Sequence, residues 1–201
     1  MKSVVASEKG GNKPLDFVRS IRREKHIALF YEDDAYARRI EFGFIEAGLG
    51  QGEHCFYLTH SDEETRSMEE LMRENKVLRD SLTKGMLLTY KDSFVPASPD
   101  DAVVLFEERR SRMSQVSKGP YRLVGATIPE VKTPEQVAAL GEADSVTQEF
   151  IAGSSMTVLC SLAPGKVPND LRSDWFLKMI GNHHSAIFAP KKSEGVAFEM
   201  R

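Results

Sequence analysis

The sequence predicts a three-layer α/β domain, in which a mostly parallel central sheet is flanked by helices. Five apolar segments of strand length follow one another, at residues 26–31, 54–59, 86–90, 122–128 and 156–162. Their residues are apolar throughout rather than alternating, which is typical of strands covered on both faces. Segments with helical periodicity or helix caps separate them, so most of the strands are expected to run parallel.

The composition indicates one domain that contacts neither nucleic acid nor a membrane directly. The chain has 201 residues, 41% of them hydrophobic, and a formal net charge of −3. It lacks both an apolar stretch of the roughly 20 residues that a membrane span needs and a hydrophobic secretion signal. Residues 1–25 carry seven Lys or Arg against three Asp or Glu, and we interpret them as a solvated basic arm. They are too few for a separate DNA-binding module.

The protein is therefore expected to be cytoplasmic. Cys55 and Cys160 each lie within a strand-like segment. Small buried thiols in a reducing compartment fit this pattern better than a disulfide does.

The elements around the first strand can be assigned from capping residues. Residues 1–13 are expected to be a flexible leader, and residues 14–23 a short helix. The first strand is followed by a helix that Asp33 or Asp34 caps and that ends near residue 47. Three glycines then tolerate left-handed geometry, namely Gly48, Gly50 and Gly52.

Three later helices are predicted by a Ser or Thr cap with an acidic or amide residue three positions on. The pairs are Ser61 with Glu64, Ser98 with Asp101, and Thr133 with Gln136. Pro99 and Pro134 stand at the first helical position, where no amide hydrogen is needed. A last helix is expected over 170–180 and a final edge strand over 186–189. The single domain would span residues 14–190, with 191–201 as a tail or another edge strand.

The acidic end of the first strand is the predicted ligand site. Residues 26–34 read His-Ile-Ala-Leu-Phe-Tyr-Glu-Asp-Asp, and ligands of open α/β sheets bind at the carboxyl ends of strands. A nucleotide-hydrolysing enzyme would carry a glycine-rich loop ending in Lys there. This segment has carboxylates in place of that loop, and carboxylates repel a triphosphate. The predicted ligand-binding residues are Tyr31, Glu32, Asp33, His60, Tyr90, Thr127 and Ser161.

Simpler roles compete with this interpretation. Capping is favoured over ligand contact for Asp33 or Asp34, and a surface position is slightly favoured for His60. His183 and His184 are adjacent, and adjacent residues rarely converge on one ion, so no metal site is expected. No Ser lies in a Gly-x-Ser-x-Gly turn, which disfavours nucleophilic catalysis. We therefore expect no catalytic residue and no cofactor.

Several short motifs resemble those of the MEDS family, a sensory module of methanogens and other prokaryotes that also occurs in a dichloromethane-responsive repressor. They begin with His26-Ile-Ala-Leu-Phe-Tyr31 and continue with Gly52-Glu53, Cys55-x-Tyr57, Gly85-Met-Leu87 and Tyr121-Arg-Leu-Val-Gly125. Cys160 resembles the family's fifth-strand cysteine, His183 its closing histidine, and Glu149 or Glu142 its acidic helix residue. The chain departs from the family pattern at Ala126, at 161–163 and at His184.

This resemblance implies the core of RecA and KaiC-type ATPases without the nucleotide machinery. It also implies a non-catalytic sensor that binds a small molecule, such as a one-carbon or hydrocarbon derivative. Such a sensor would regulate a histidine kinase or a transcription regulator, and it could self-associate. His26, which precedes the first strand, is expected to hold the adjacent turn. The alternatives are a degenerate nucleotide or metal-dependent hydrolase using Glu32, Asp33 and His60, and a scaffold without a ligand.

Overall fold

The computed structural model describes residues 13–22, 24–92, 99–125, 132–191 and 194–200. Its helices are α1 (Pro14–Ser20), α2 (Asp34–Gly50), α3 (Asp62–Glu74), α4 (Lys76–Thr83), α5 (Pro99–Val116), α6 (Pro134–Ile151) and α7 (Asn169–Gly181). Its strands are β1 (His26–Tyr31), β2 (His54–Thr59), β3 (Leu87–Lys91), β4 (Tyr121–Gly125), β5 (Met156–Leu162), β6 (Ser185–Lys191) and β7 (Glu194–Glu199).

The strands form one sheet in the order β3-β2-β4-β5-β1-β6-β7. All neighbouring strands are parallel except β6 and β7, which are antiparallel. The predicted mostly parallel α/β fold is therefore confirmed.

Helices cover both faces of the sheet and complete the three layers. One core cluster joins α1 to α4 with side chains such as Ile27, Leu29 and Leu159, and clusters on the other face join α5 to α7. Trp175 of α7 is the largest fully buried side chain, and it meets Phe30 edge to face. Among the described residues, no helix is both long and apolar enough to cross a membrane.

The predicted position of the last strand is wrong in one respect. Residues 185–191 lie between β1 and β7 rather than at the edge of the sheet. Ala28 and Phe30 of β1 pair with Ala186 and Phe188 of β6. The strand β6 therefore lies inside the sheet, which agrees with its apolar sequence. The strand β7 forms the edge of the sheet. Of the two predictions for residues 191–201, a tail or another edge strand, the second is confirmed.

Other boundaries differ by a few residues. The helix α1 ends at Ser20 rather than Arg23, and β3 is shifted by one residue. The predicted single helix after β2 is two helices, because Asn75 interrupts it and its side chain caps α4 by accepting from the Val77 amide at 2.9 Å. The predicted end of the fourth strand at 126–128 lies outside the described residues.

The helix α2 extends beyond its predicted end near residue 47, and Gly48 is helical rather than terminal. A Cβ atom at Gly48 would lie 2.6 Å from Cδ of Arg122. Glycine at this position therefore allows the Arg122 side chain to pass against the helix backbone.

The predicted caps are confirmed where both residues are described. Asp33, not Asp34, caps α2 by accepting from the Tyr36 amide at 3.0 Å. Thr133 and Gln136 form a complete reciprocal capping box on α6. Ser61 caps α3, but the Glu64 carboxylate accepts from the amide of His60 at 2.7 Å rather than from that of Ser61. Ser98 lies outside the described residues.

A buried ion pair joins the helical layer to the sheet. The Nε atom of Arg122 lies 2.6 Å from Oε2 of Glu53, and both side chains have no exposed surface. Arg122 also donates to the Phe44 carbonyl at 2.9 Å, and its guanidinium lies 4.6 Å from the centre of the Phe44 ring. These contacts hold α2 against the amino ends of β2 and β4.

Replacing Arg122 by Met would remove its guanidinium from the buried Glu53 carboxylate. We expect the free energy of unfolding to fall by about 3–5 kcal/mol, measured by urea denaturation. Lys91→Met is the matched control, because Lys91 and Asp62 form an exposed pair at 2.9 Å. That control is expected to lose about 0–1 kcal/mol, and equal losses in both variants would contradict a special role for the buried pair.

Asp33→Ala would remove the cap of α2. We expect a loss of about 1 kcal/mol in unfolding free energy, measured in the same way. Asp34→Ala is the control, because Asp34 lies in the first turn of α2 but does not accept the cap hydrogen bond, with an expected loss of about 0.3 kcal/mol. A larger loss in Asp34→Ala would show that the cap is assigned to the wrong residue.

Candidate functional site

A small polar cavity lies at the carboxyl edge of the sheet. It is lined by side chains from β1, α2, β2 and α3, namely Tyr31, Asp34, Ala37, Arg38, Glu41, Tyr57, Leu58 and Glu64, together with Gly125 at the end of β4. Its volume is about 20 Å³, roughly enough for one water-sized group. This is the edge at which parallel α/β sheets bind ligands.

The carboxyl group of Glu41 forms the polar centre of this cavity. Glu41 is 5% exposed. One carboxyl oxygen accepts from the hydroxyl of Tyr57 on β2, and the other from the hydroxyl of Ser161 on β5, both at 2.5 Å. A single acidic side chain of α2 thereby connects two strands that are not neighbours in the sheet.

Burial sets the protonation of this group. Desolvation raises the pKa of Glu41, while the hydrogen bonds from Ser161 and Tyr57 and the charge of Arg38 lower it. Desolvation and the nearby Glu41 carboxyl also hold the pKa of Tyr57 well above its ordinary value. Tyr57 is therefore a permanent hydrogen-bond donor, whereas Glu41 takes up a proton more readily than an exposed carboxylate does.

Arg38 supplies the positive charge of the cavity. Its side chain is partly buried, and Nη1 donates to the sulfur of Met68 at 3.3 Å. Among the described residues, no carboxylate oxygen lies within salt-bridge distance of Arg38. Its guanidinium thus has donor capacity that a thioether, a weak acceptor, does not use fully.

The predicted ligand-binding residues are distributed over several places. Tyr31 lines the cavity, and Ser161 reaches it through Glu41. Asp33 caps α2, Glu32 is exposed, and His60 is partly buried just before α3. Thr127 lies outside the described residues.

Tyr90 belongs to the opposite face of the sheet. Its ring stacks on Phe56 with 5.9 Å between centroids, next to α5. A larger hollow of about 390 Å³ opens beside it, lined by charged residues of β3 and α5. Two of them already pair, since Nε of Arg109 lies 2.5 Å from Asp92. We therefore centre the candidate ligand site on Glu41.

Sequence reasoning missed Glu41, although its position is informative. The buried stripe of α2 includes Ala37, Ile40, Phe44 and Ile45, and Glu41 lies within that stripe. An acidic residue among apolar residues at helical spacing indicates a buried carboxyl that needs partners.

A second polar group lies near the amino end of β1, on the face covered by α6 and α7. It brings together His26 of β1, Asp144 of α6, Cys160 of β5 and His183, which follows α7. His26 Nε2 lies 3.3 Å from the sulfur of Cys160 and 3.6 Å from Oδ1 of Asp144. The rings of His26 and His183 stack with 3.8 Å between centroids.

Burial disfavours the charged form of all four groups, and the pKa of each shifts accordingly. Desolvation lowers the pKa of His26 to about 4 and holds the pKa of His183 well below its ordinary value. It raises the pKa values of Asp144 and Cys160 well above theirs.

The acidic member of this group is neither Glu149 nor Glu142. Both of those glutamates are exposed, whereas Asp144 lies on the buried face of α6. His26, expected to hold the adjacent turn, is fully buried. It lies beside Cys160 and His183. Three residues that resemble separate motifs of the family are therefore close together in the structure.

The comparisons with known proteins agree with this fold. A model of the family described as MEthanogen/methylotroph, DcmR Sensory domain matches residues 25–172. The comparison with curated proteins finds no match.

Among solved structures, the chain is similar to a KaiC-like protein from the hyperthermophilic archaeon Pyrococcus horikoshii. The similarity has a TM-score of 0.63 at 15% sequence identity, covering 100% of this chain and 90% of the other. At this identity the similarity establishes the KaiC-like fold alone. Because the family model covers most of the sequence, the chain belongs to the MEDS family of sensory domains.

Proposed function

We propose that this chain is a non-catalytic sensory domain that binds a small polar molecule in the cavity around Glu41. Its bound form would regulate a partner protein, such as a histidine kinase or a transcription regulator. Family membership supports a sensory role. The location at the carboxyl edge supports a ligand site, because this is where the fold class places its ligands.

The observation that carries the proposal is the carboxyl of Glu41, buried at the cavity and held by Tyr57 and Ser161. A buried acid in this position is costly unless its hydrogen bonds are satisfied. Its two partners come from different strands, so a molecule that competes for either hydroxyl would change how α2 sits on the sheet. A partner that prefers one of the two arrangements would then respond to the ligand.

The size of the cavity limits the ligand. A volume of about 20 Å³ admits roughly one water-sized polar group. A one-carbon molecule, or the polar end of a short hydrocarbon derivative, fits this limit. A nucleotide does not, and the segment after β1 offers Glu32, Asp33 and Asp34 where a phosphate loop would have glycine and lysine.

The hydrolase alternative lacks a convergent site. Asp33 already accepts from a backbone amide of α2, and Glu32 is exposed. Within the described parts of the chain, the one group of side chains that could share a metal ion is that of His26, not that of Glu32 and His60.

Binding can be tested by a thermal-shift screen of one-carbon and short hydrocarbon metabolites, followed by calorimetry on the hits. Tyr57→Phe removes a hydroxyl that holds Glu41, so we expect it to weaken the binding of a hit by about tenfold or more. Tyr90→Phe removes a hydroxyl on the other face of the sheet and is the matched control, expected to bind normally. Unchanged binding by Tyr57→Phe, or phosphate release from ATP that Glu32→Gln abolishes, would refute the proposal.

The raised pKa of Glu41 predicts how its stability contribution depends on pH. A carboxyl whose pKa is higher in the folded than in the unfolded state contributes fully below its ordinary pKa of 4.5. That contribution is lost as pH rises through the higher folded value. Glu41→Gln lacks this titration, so its stability relative to the natural chain should improve steadily as pH rises above 4.5.

Urea denaturation of both proteins between about pH 4 and pH 8 would measure this difference. Glu32→Gln, which replaces an exposed carboxyl by the same amide, is the matched control. If the stability of Glu41→Gln relative to the natural chain fell or stayed constant as pH rises, the raised pKa of Glu41 would be contradicted.

A further inference from the structure

We propose that His26, Asp144, Cys160 and His183 form a binding site for a divalent transition metal ion, with zinc as the best match. One ligand atom from each residue lies within 4.8 Å of every other. Tetrahedral zinc with bonds of about 2.0–2.3 Å places its ligand atoms roughly 3.3–3.8 Å apart. The contacts of His26 with Cys160 and Asp144, at 3.3 and 3.6 Å, already fall in that range.

The hydrogen bonds of both histidines leave Nε2 available as a metal ligand. Nδ1 of His26 lies 3.1 Å from the carbonyl of Asn182, and Nδ1 of His183 lies 2.5 Å from the carbonyl of Met179. A carbonyl can only accept, so each Nδ1 carries the proton and each Nε2 presents a lone pair. This outer hydrogen bond is the arrangement that metal-binding histidines ordinarily have.

Among the described residues, two buried polar atoms of this centre meet no hydrogen-bond partner, although Nδ1 of His183 lies 3.3 Å from one of them, Oδ2 of Asp144. The other is Nε2 of His183. Buried polar atoms without partners are rare in folded proteins. A cation held between these atoms would satisfy them together.

The charges of the four ligands match those of a divalent ion. Ionised aspartate and cysteine carry two negative charges, and the two imidazoles are neutral, so a site with a divalent cation has no net charge. Charge balance is needed here because His26 has no exposed surface and an unbalanced buried charge is strongly unfavourable.

The ligand types identify the class of metal. Nitrogen and sulfur ligands favour zinc and its transition-metal neighbours over magnesium or calcium, which prefer oxygen. Of the two cysteines, Cys160 is partly buried and Cys55 is buried. The stacked His26 and His183 rings have 24° between their planes, so one ring must turn before both Nε2 atoms can face one ion.

A second layer of hydrogen bonds holds His26 in place. Its backbone amide donates to Nδ1 of His184 at 2.9 Å. The side-chain amide of Gln148 lies between the two histidines, 3.2 Å from His26 Nδ1 and 2.8 Å from His184 Nε2. His184, the residue that departs from the family pattern, thus supports the candidate ligand His26 in this chain.

The test is a titration of the purified, chelator-treated chain with Co²⁺ in a reducing buffer, followed by absorption spectroscopy. We expect one equivalent of Co²⁺ to give a thiolate-to-cobalt charge-transfer band and visible bands of tetrahedral intensity. Zinc should displace cobalt and abolish the bands. Saturating zinc, at about a hundred times its Kd, should raise the Tm by about 5–10 °C.

Matched variants assign the ligands. Cys160→Ser should abolish the charge-transfer band, while Cys55→Ser, which changes the other buried thiol, should keep it. Asp144→Asn preserves shape and is expected to weaken metal binding by about a hundredfold or more, whereas Glu149→Gln on the same helix is not. Circular dichroism of each variant without metal verifies that it is folded.

Two results would overturn the proposal. One is a folded natural chain that binds no Co²⁺ and shows no zinc-dependent change in Tm, which would leave the four residues as a hydrogen-bonded core. The other is a charge-transfer band that survives in Cys160→Ser. Neither result bears on the cavity around Glu41, whose ligand binding is measured separately.

Discussion

The buried pair of Arg122 and Glu53 fixes the position of α2, on which the candidate ligand site depends. Arg122 belongs to β4, Glu53 precedes β2, and the guanidinium also reaches the carbonyl of Phe44 in α2. Three segments of the chain therefore share one cation. Because the guanidinium is fully buried, displacing α2 would take away the Phe44 carbonyl that accepts from it, and leaving a buried donor without its acceptor is unfavourable. Glu41 lies less than one turn from Phe44, so its carboxyl is presented to Tyr57 and Ser161 from a firmly anchored helix.

The fold could be predicted from the sequence because its strands and caps are encoded locally. Apolar runs such as 54–59 and 156–162 need no distant information, and Thr133 with Gln136 specifies a helix start by itself. The interior place of β6 depends instead on its pairing with β1, which no local pattern reveals. Likewise, the need for glycine at position 48 follows from its contact with Arg122, a residue far away in the sequence.

The candidate sites were harder to predict, for a similar reason. Asp33 lies beside Glu32 in the sequence, yet its carboxylate is occupied by a backbone amide. Glu41 and Asp144, by contrast, are inconspicuous acids within helices, and their importance depends on which face of the helix is buried. His26, Cys160 and His183 could each be recognised as family motifs. Their convergence depends on the sheet order, which places β5 and β6 on either side of β1.

The order of the strands also determines when this molecule can become complete during synthesis. The interior strand β1 is translated before the other strands of the sheet, but its partners come much later, since His26 pairs with Val158 and Ile27 with Ser185. Contacts so distant in sequence form slowly. The pairing of β1 within the sheet must therefore wait until β5 and β6 have been translated. His26 and His183 can meet only after that pairing, so their contact distinguishes a finished domain from a nascent one.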